Sequence, residues 1–184
     1  MRAFLAIALE DGARREIAAA ARAVVAGGAV ARWVREENLH LTVAFLGTIA
    51  EGLVPTIDSR LAPLAGSTPP QRLVLAGAGG FPHGRPRVLW LGLATGREWF
   101  VELSRAVRAT LADGLDIELD RREPNAHVTL ARVERPGRVL LPALEAAFAG
   151  HVIGSRADRL TLFSSVTGRA GPTYAVAREW SFRG

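Results

Sequence analysis

The pattern His-x-Thr-hydrophobic occurs twice in this chain, as His40-Leu41-Thr42-Val43 and as His127-Val128-Thr129-Leu130, each inside a run that reads as a buried strand. In an extended strand residues i and i+2 share a face. Each copy therefore sets an imidazole beside a hydroxyl, while Leu41, Val43 and Phe45, or Val128 and Leu130, point the other way. Any fold for this chain must bury one face of each strand and keep the other face open. The chain has four histidines and ten threonines in 184 residues, so two His-x-Thr pairs exceed what chance placement supplies. The two histidines are 127 − 40 = 87 residues apart, close to half the chain, which fits a duplicated unit.

All 23 basic residues are arginine, and the chain contains neither lysine nor cysteine. A P-loop, a Schiff-base enzyme and a ligase that passes through a lysine-nucleotide adduct each require lysine, so the inventory excludes all three. Without cysteine there is no disulfide framework, thiolate nucleophile or sulfur ligand for zinc, which fits a cytoplasmic protein. The net charge of +5 is carried by guanidinium groups, whose planar forks pair with phosphate, so the surplus fits a phosphate-bearing partner. The competing reading is a compositional bias that replaces lysine by arginine throughout. A hydrophobic content of 49% over this length supports one buried core, and a single domain over residues 1–184 is expected. The longest apolar stretches, such as Val88–Leu93, are too short to span a bilayer, and Met1–Leu9 stops at Glu10 and Asp11. No membrane partner is expected.

Periodicity predicts a strand over residues 2–9, then an Ala- and Arg-rich helix from Asp11 to Ala26 stopped by Gly27-Gly28. A short strand begins at Trp33-Val34, and the first histidine strand runs from Asn38 to Leu46. A helix from about Gly52 to Leu64 follows. Arg72–Leu75 and Arg87–Leu93 read as strands joined by a hairpin-type loop from Gly79 to Pro86. Glu98–Ala112 is amphipathic, with Trp99, Leu103, Val107 and Leu111 on one face. The second half repeats this grammar: strand His127–Val133, helix from about Arg138 to Phe148, and strands Arg159–Phe163 and Tyr174–Trp180. Such an order predicts an α+β fold with mostly antiparallel sheet.

Two imidazoles can serve as a base and an acid, because the ordinary histidine pKa of about 6.5 leaves either protonation state accessible near neutral pH. Displacement at phosphorus needs the attacking and leaving oxygens roughly in line, so two symmetric strands facing one phosphate suit it. Thr42 and Thr129, on the same faces, are placed to donate hydroxyl hydrogen bonds to the non-bridging oxygens. A two-histidine metal site is disfavoured, since no carboxylate shares these strands. His83 and His151 lack a threonine partner and read as exposed loop residues. Trp33, Phe81, Trp90 and Tyr174 are either core or surfaces on which bases stack.

The paired motif resembles the two-histidine phosphoesterases. Further segments are similar to the bacterial and archaeal branch known as RNA 2′,3′-cyclic phosphodiesterase or 2′-5′ RNA ligase: Trp33-Val34, Glu37 through Gly47, Gly80-Phe81-Pro82, Pro86 through Gly92, His127 through Arg132, and Gly171-Pro172-Thr173-Tyr174. The resemblance implies two pseudo-symmetric lobes with outer helices and a central cleft, and metal-independent opening of a 2′,3′-cyclic phosphate to a 2′-phosphate. It also implies that His127 is the general base, His40 the general acid, and Thr42, Thr129 and Arg132 the phosphate-binding residues. Arg132 lies five residues after His127 and so has the opposite parity; it enters the cleft only through a bulge or a long reach. The implied partner is an RNA end bearing a cyclic phosphate, with no cofactor and a monomeric protein. The alternatives are nucleotide-independent 2′-5′ ligation at the same site, and a basic RNA-binding module without catalysis.

Overall fold

The computed structural model describes residues 1–26, 31–83, 85–120, 122–133, 140–168 and 171–184. In chain order the elements are β1 (Arg2–Ala8), α1 (Asp11–Ala26), β2 (Arg32–Trp33), β3 (His40–Thr48), α2 (Val54–Ser67), β4 (Gln71–Phe81), β5 (Val88–Thr95), α3 (Arg97–Ala112), β6 (His127–Arg132), α4 (Leu140–Ala147), β7 (Ile153–Ala157), β8 (Arg159–Gly168) and β9 (Gly171–Ser181). The strand pairings of the described residues are antiparallel, and the path across the sheet is β7-β4-β5-β6-β3-β1-β8-β9, with β2 also on β6. The α+β class and the antiparallel sheet match the sequence-based expectation. Among the described residues no helix is long and apolar enough to cross a membrane.

The two histidine strands meet at the middle of this path, where Leu41 pairs with Val128. Beyond that pair β6 turns its edge to β2 instead, with Arg32 opposite Arg132 and Trp33 opposite Ala131. The seam is therefore narrow. On one side lie β3, β1, β8 and β9, and on the other β6, β5, β4 and β7. The expected duplication is visible as a strand-helix-strand-helix unit: elements starting at 2, 11, 40 and 54 recur at 88, 97, 127 and 140, a displacement of 86 or 87 residues. The two halves of the sheet are not, however, the two halves of the chain. The His127 half is contiguous, whereas the His40 half takes β8 and β9 from the C-terminal region, because β1 needs a partner on its outer edge.

One layer of helices covers one sheet face and buries Leu5, Ile7, Leu41, Leu73, Leu75, Leu89, Leu91 and Val128. In α1 the residues Ala13, Ile17 and Val24 supply the apolar stripe. In α3 the buried face is Phe100, Leu103, Val107 and Leu111; Trp99 packs at its margin against Phe182. Each helix that precedes a histidine strand crosses the seam: α1 packs on α4 and β7, and α3 on α2 and β3. The Gly27-Gly28 stop expected after α1 lies outside the described residues, as does the expected helix start at Arg138, and the described part of that last helix is α4. Two strands escape the sequence reading in whole or part. β7 sets Gly154, Ser155 and Arg156 between Ile153 and Ala157 and offers no hydrophobic run, and β4 continues through Gly79 and Gly80, which read as loop in the sequence.

Candidate phosphoesterase site at the seam

The register through Leu41 and Val128 decides where the histidines stand. Continuing it places His40 opposite Thr129 and Thr42 opposite His127, on the face away from the helices. Side chains diagonal to one another across neighbouring strands lie about 7–8 Å apart, a span that admits one tetrahedral phosphate between two imidazoles. Each histidine is fixed in the same way from behind. His40 Nδ1 lies 2.7 Å from the carbonyl oxygen of Asn38, and His127 Nδ1 lies 2.9 Å from that of Asn125. A carbonyl only accepts, so Nδ1 carries the hydrogen and Nε2 is left for chemistry. In the resting site His40 Nε2 is 3.0 Å from Thr42 Oγ1.

A bulge follows each motif at the same position. Ala6 pairs with Thr42 but Leu5 with Ala44, so Val43 is extra; Trp90 pairs with Thr129 but Leu89 with Ala131, so Leu130 is extra. Parity flips after each bulge. Ala44 and Ala131 are buried, and the fifth residue after each histidine turns to the open face. For β6 that residue is Arg132, which reaches the site through the bulge its parity required. For β3 it is Phe45. The expectation that Phe45 points to the core with Leu41 and Val43 is overturned: it is 56% exposed, with its ring 6.3 Å from that of Phe4.

Aromatic rings wall both histidines. His40 sits 4.9 Å from Phe4 and 5.6 Å, edge-on, from Tyr174; His127 sits 5.4 Å, edge-on, from Phe81, which stacks on Trp90 at 5.2 Å. Trp90 lies flat on the sheet because Gly79 and Gly92 are beneath it. A Cβ at Gly79 would overlap the indole, and one at Gly92 would stand 3.2 Å from it. This close approach is why glycine occupies a strand interior here. Gly79→Ala is expected to cost about 1–3 kcal/mol by overpacking, read as a lower denaturation midpoint with a changed tryptophan emission. On the other side Asn38 ties the β8–β9 hairpin to His40: its side chain donates to the Pro172 carbonyl at 2.9 Å while its own carbonyl holds Nδ1.

Burial holds both imidazoles neutral in the free protein. It pushes His40 down to about 4, against the pull of the Asn38 carbonyl and with a further push from His127. His127 is lowered by burial first and also by the Arg132 charge, opposed by the Asn125 carbonyl. Tyr174 is raised by burial, while Arg132 and Arg2 act the other way, so both cations are felt within the site. Among the described residues no three His, Cys, Asp or Glu side chains gather as a metal-binding group. The structure thus brings His40, Thr42, His127, Thr129 and Arg132 to one seam. His83 is exposed, as expected; His151 is not, being half-buried against Phe148 with Nδ1 out of solvent. Sequence reasoning misses Asn38 and Asn125, although both copies read Asn-x-His-x-Thr-x-Ala. A hollow of about 1170 Å³ opens beside the seam, lined by Phe45, Arg105, Arg108, Ile117, Asp120 and Arg122 among others.

Residues 10–169 match the family model of the 2′-5′ RNA ligase superfamily. The chain belongs to this superfamily. Within it, the chain is 31% identical over 183 residues to an RNA 2′,3′-cyclic phosphodiesterase of Methanothermobacter thermautotrophicus, covering 95% of each. It is 30% identical over 155 residues to one of Aquifex aeolicus, covering 83% of this chain and 82% of that one. Among solved structures, TT0787 of Thermus thermophilus superposes with a TM-score of 0.84 at 28% identity, covering 100% of this chain and 99% of that one. Escherichia coli LigT, complexed with 3′-AMP, shares the fold with a TM-score of 0.76 at 23% identity, covering 100% and 98%. The superfamily match takes in both histidine strands and all four helices.

Proposed function

We propose that this protein, acting as one two-lobed unit, hydrolyses RNA 2′,3′-cyclic phosphates to 2′-phosphomonoesters. The observation that carries the reading is the pair of imidazoles related across the Leu41–Val128 seam, each with Nδ1 committed to a carbonyl and Nε2 directed to the open face. The names of the relatives at 30–31% identity support the substrate. His127 Nε2 takes a proton from water, whose oxygen attacks phosphorus; the P–O3′ bond breaks, and His40 Nε2–H gives its proton to O3′. The product keeps the phosphate on O2′, and both histidines return to their starting states by proton exchange with solvent. Thr42, Thr129 and Arg132 donate to the non-bridging oxygens as their charge grows.

An asymmetry supports these roles. Arg132 opposes protonation of His127, which keeps that residue a base, and the equivalent place beside His40 is held by uncharged Phe45. An anionic phosphate between the two imidazoles favours the protonated form of either, and with Arg132 opposing that gain at His127 it is His40 that takes up the proton with substrate. The expected pH profile follows from the sign of these shifts. Because both free histidines titrate below 6.5, kcat/KM is greatest on the acid side of 6.5, and the optimum of kcat lies higher because bound phosphate raises His40. Steady-state rates from about pH 4 to 9 check this, and an alkaline optimum for kcat/KM contradicts it.

The deciding experiment incubates a cyclic-phosphate-ended oligoribonucleotide with the protein in chelator and locates the product phosphate. A 2′-phosphomonoester is expected; a 3′-phosphate or an absolute metal requirement overturns the proposal. Adding a 5′-hydroxyl RNA tests ligation at the same site, in which that hydroxyl replaces water as the attacking group.

A further inference from the structure

The face that carries His127 and Thr129 continues away from the seam across β5, β4 and β7. Residues paired across antiparallel strands share a face, so Gly92 beside His127, Val74 beside Thr95 and Gly154, and Arg72 beside Arg156 lie on it. Exposure agrees: Arg72, Gly154 and Arg156 are open, while Leu73, Leu75, Ile153 and Ser155 are buried beneath the helices. Two observations distinguish this path. It is open at its β7 end, since a Cβ at Gly154 would meet no atom within 4 Å. It also ends on two like charges placed directly opposite one another, an arrangement that repels in the free protein.

Those charges are incompletely answered. Arg72 makes no ion pair among the described residues. Near Arg156, the Glu10 carboxylate accepts the Arg156 backbone N–H at the strand edge and lines the hollow, and Asp158 is ion-paired to Arg159 while also feeling the Arg156 charge. A hollow of about 410 Å³ opens beside the pair. By contrast, the larger hollow near Phe45 has two of its arginines met by carboxylates, Arg105 by Glu123 and Arg122 by Asp120, and its third, Arg108, donating to the carbonyls of Asp120 and Arg122. The face beside His40 is closed by Phe4, Phe163 and Tyr174.

We propose that this track binds the single-stranded RNA leading 5′ from the terminal cyclic phosphate, with Arg72 and Arg156 holding an internucleotide phosphate. The proposal rests on the function given above. Strand rise and strand spacing put the arginine pair about 20 Å from His127, so only a substrate on the order of four nucleotides or longer reaches it. A guanidinium pair suits a phosphate through paired hydrogen bonds, and the open surface at Gly154 lets a sugar-phosphate chain lie close to the sheet beside the pair.

The test compares KM and kcat for a nucleoside 2′,3′-cyclic monophosphate with those for cyclic-phosphate-ended oligoribonucleotides of about two, four and eight nucleotides. For the unaltered protein KM is expected to fall about tenfold once the chain reaches the arginines, with the fall weakened by salt. Arg72→Ala/Arg156→Ala is expected to abolish that fall while leaving kcat and the mononucleotide KM unchanged, and Arg72→Lys/Arg156→Lys to keep part of it. Turnover without length dependence, or length dependence that survives the double alanine variant, overturns the track alone. Equal loss on the mononucleotide also overturns it, as a structural effect. No turnover of any cyclic phosphate overturns the proposed function, and the track with it.

Discussion

His40→Ala and His127→Ala are each expected to lower kcat by about 10³-fold, the size of effect that general acid or base removal produces. In the proposed mechanism both imidazoles act in one displacement, so neither alone completes the proton path from water to the leaving oxygen. The double variant is therefore expected to be little worse than either single one, since residues that work as a unit are not additive. Binding of an uncleavable RNA should largely survive each change, because the proposed phosphate contacts also include Thr42, Thr129, Arg132 and the track. If the histidines only contacted phosphate, affinity would fall instead and the parent would show no turnover. Rates and RNA binding measured on the same preparations separate these outcomes.

Thr42→Val and Thr129→Val are expected to reduce kcat by about 10²-fold each, with smaller effects on KM, as for a single lost donor to developing charge. Valine keeps the branched shape that a strand favours, so the loss isolates the hydroxyl. The two variants should differ in one respect. Thr42 Oγ1 also lies 3.0 Å from His40 Nε2, whereas Thr129 pairs across the strand with Trp90. Removing the Thr42 hydroxyl thus changes the surroundings of His40 and moves the pH profile, and removing that of Thr129 leaves the profile in place. Parallel profiles for the two would contradict the assignment of that contact.

The site was legible from the sequence because its chemistry is written locally. His-x-Thr in an extended run fixes which side chains share a face, whatever the rest of the chain does. For Arg132 the odd step of five residues called for a bulge or a long reach, and the pairing of β5 with β6 shows the bulge. Its twin at Val43 is hidden because the apolar Phe45 looks like a continued core stripe, and the pairing of Leu5 with Ala44 and Ala6 with Thr42, with the exposure of Phe45, shows otherwise. Gly79 and Gly80 look like a turn for a similar reason: Gly79 is glycine because the Trp90 ring lies on it, and Gly80 because Pro86 does. β7 depends on β4 for its existence, and His151 on Phe148 for its burial. Each of these is a tertiary fact with no local trace. The assignment of strands to halves is tertiary as well, because nothing in β8 or β9 announces a partner at residue 2.

That assignment bears on the order in which the molecule is made. The His127 half, from β4 to β7, is one uninterrupted stretch and can close its pairings as soon as residue 157 has been synthesised. The His40 half must leave the outer edge of β1 unsatisfied until the hairpin of β8 and β9 arrives more than a hundred residues later. Pairings across such a separation carry a large loop-closure cost and form late. Tyr174 and Pro172, which brace His40, come with that hairpin. A nascent chain is therefore expected to hold one histidine strand in a finished sheet while the bracing of the other is incomplete, and, on the proposed function, to act on RNA only when its last strand docks.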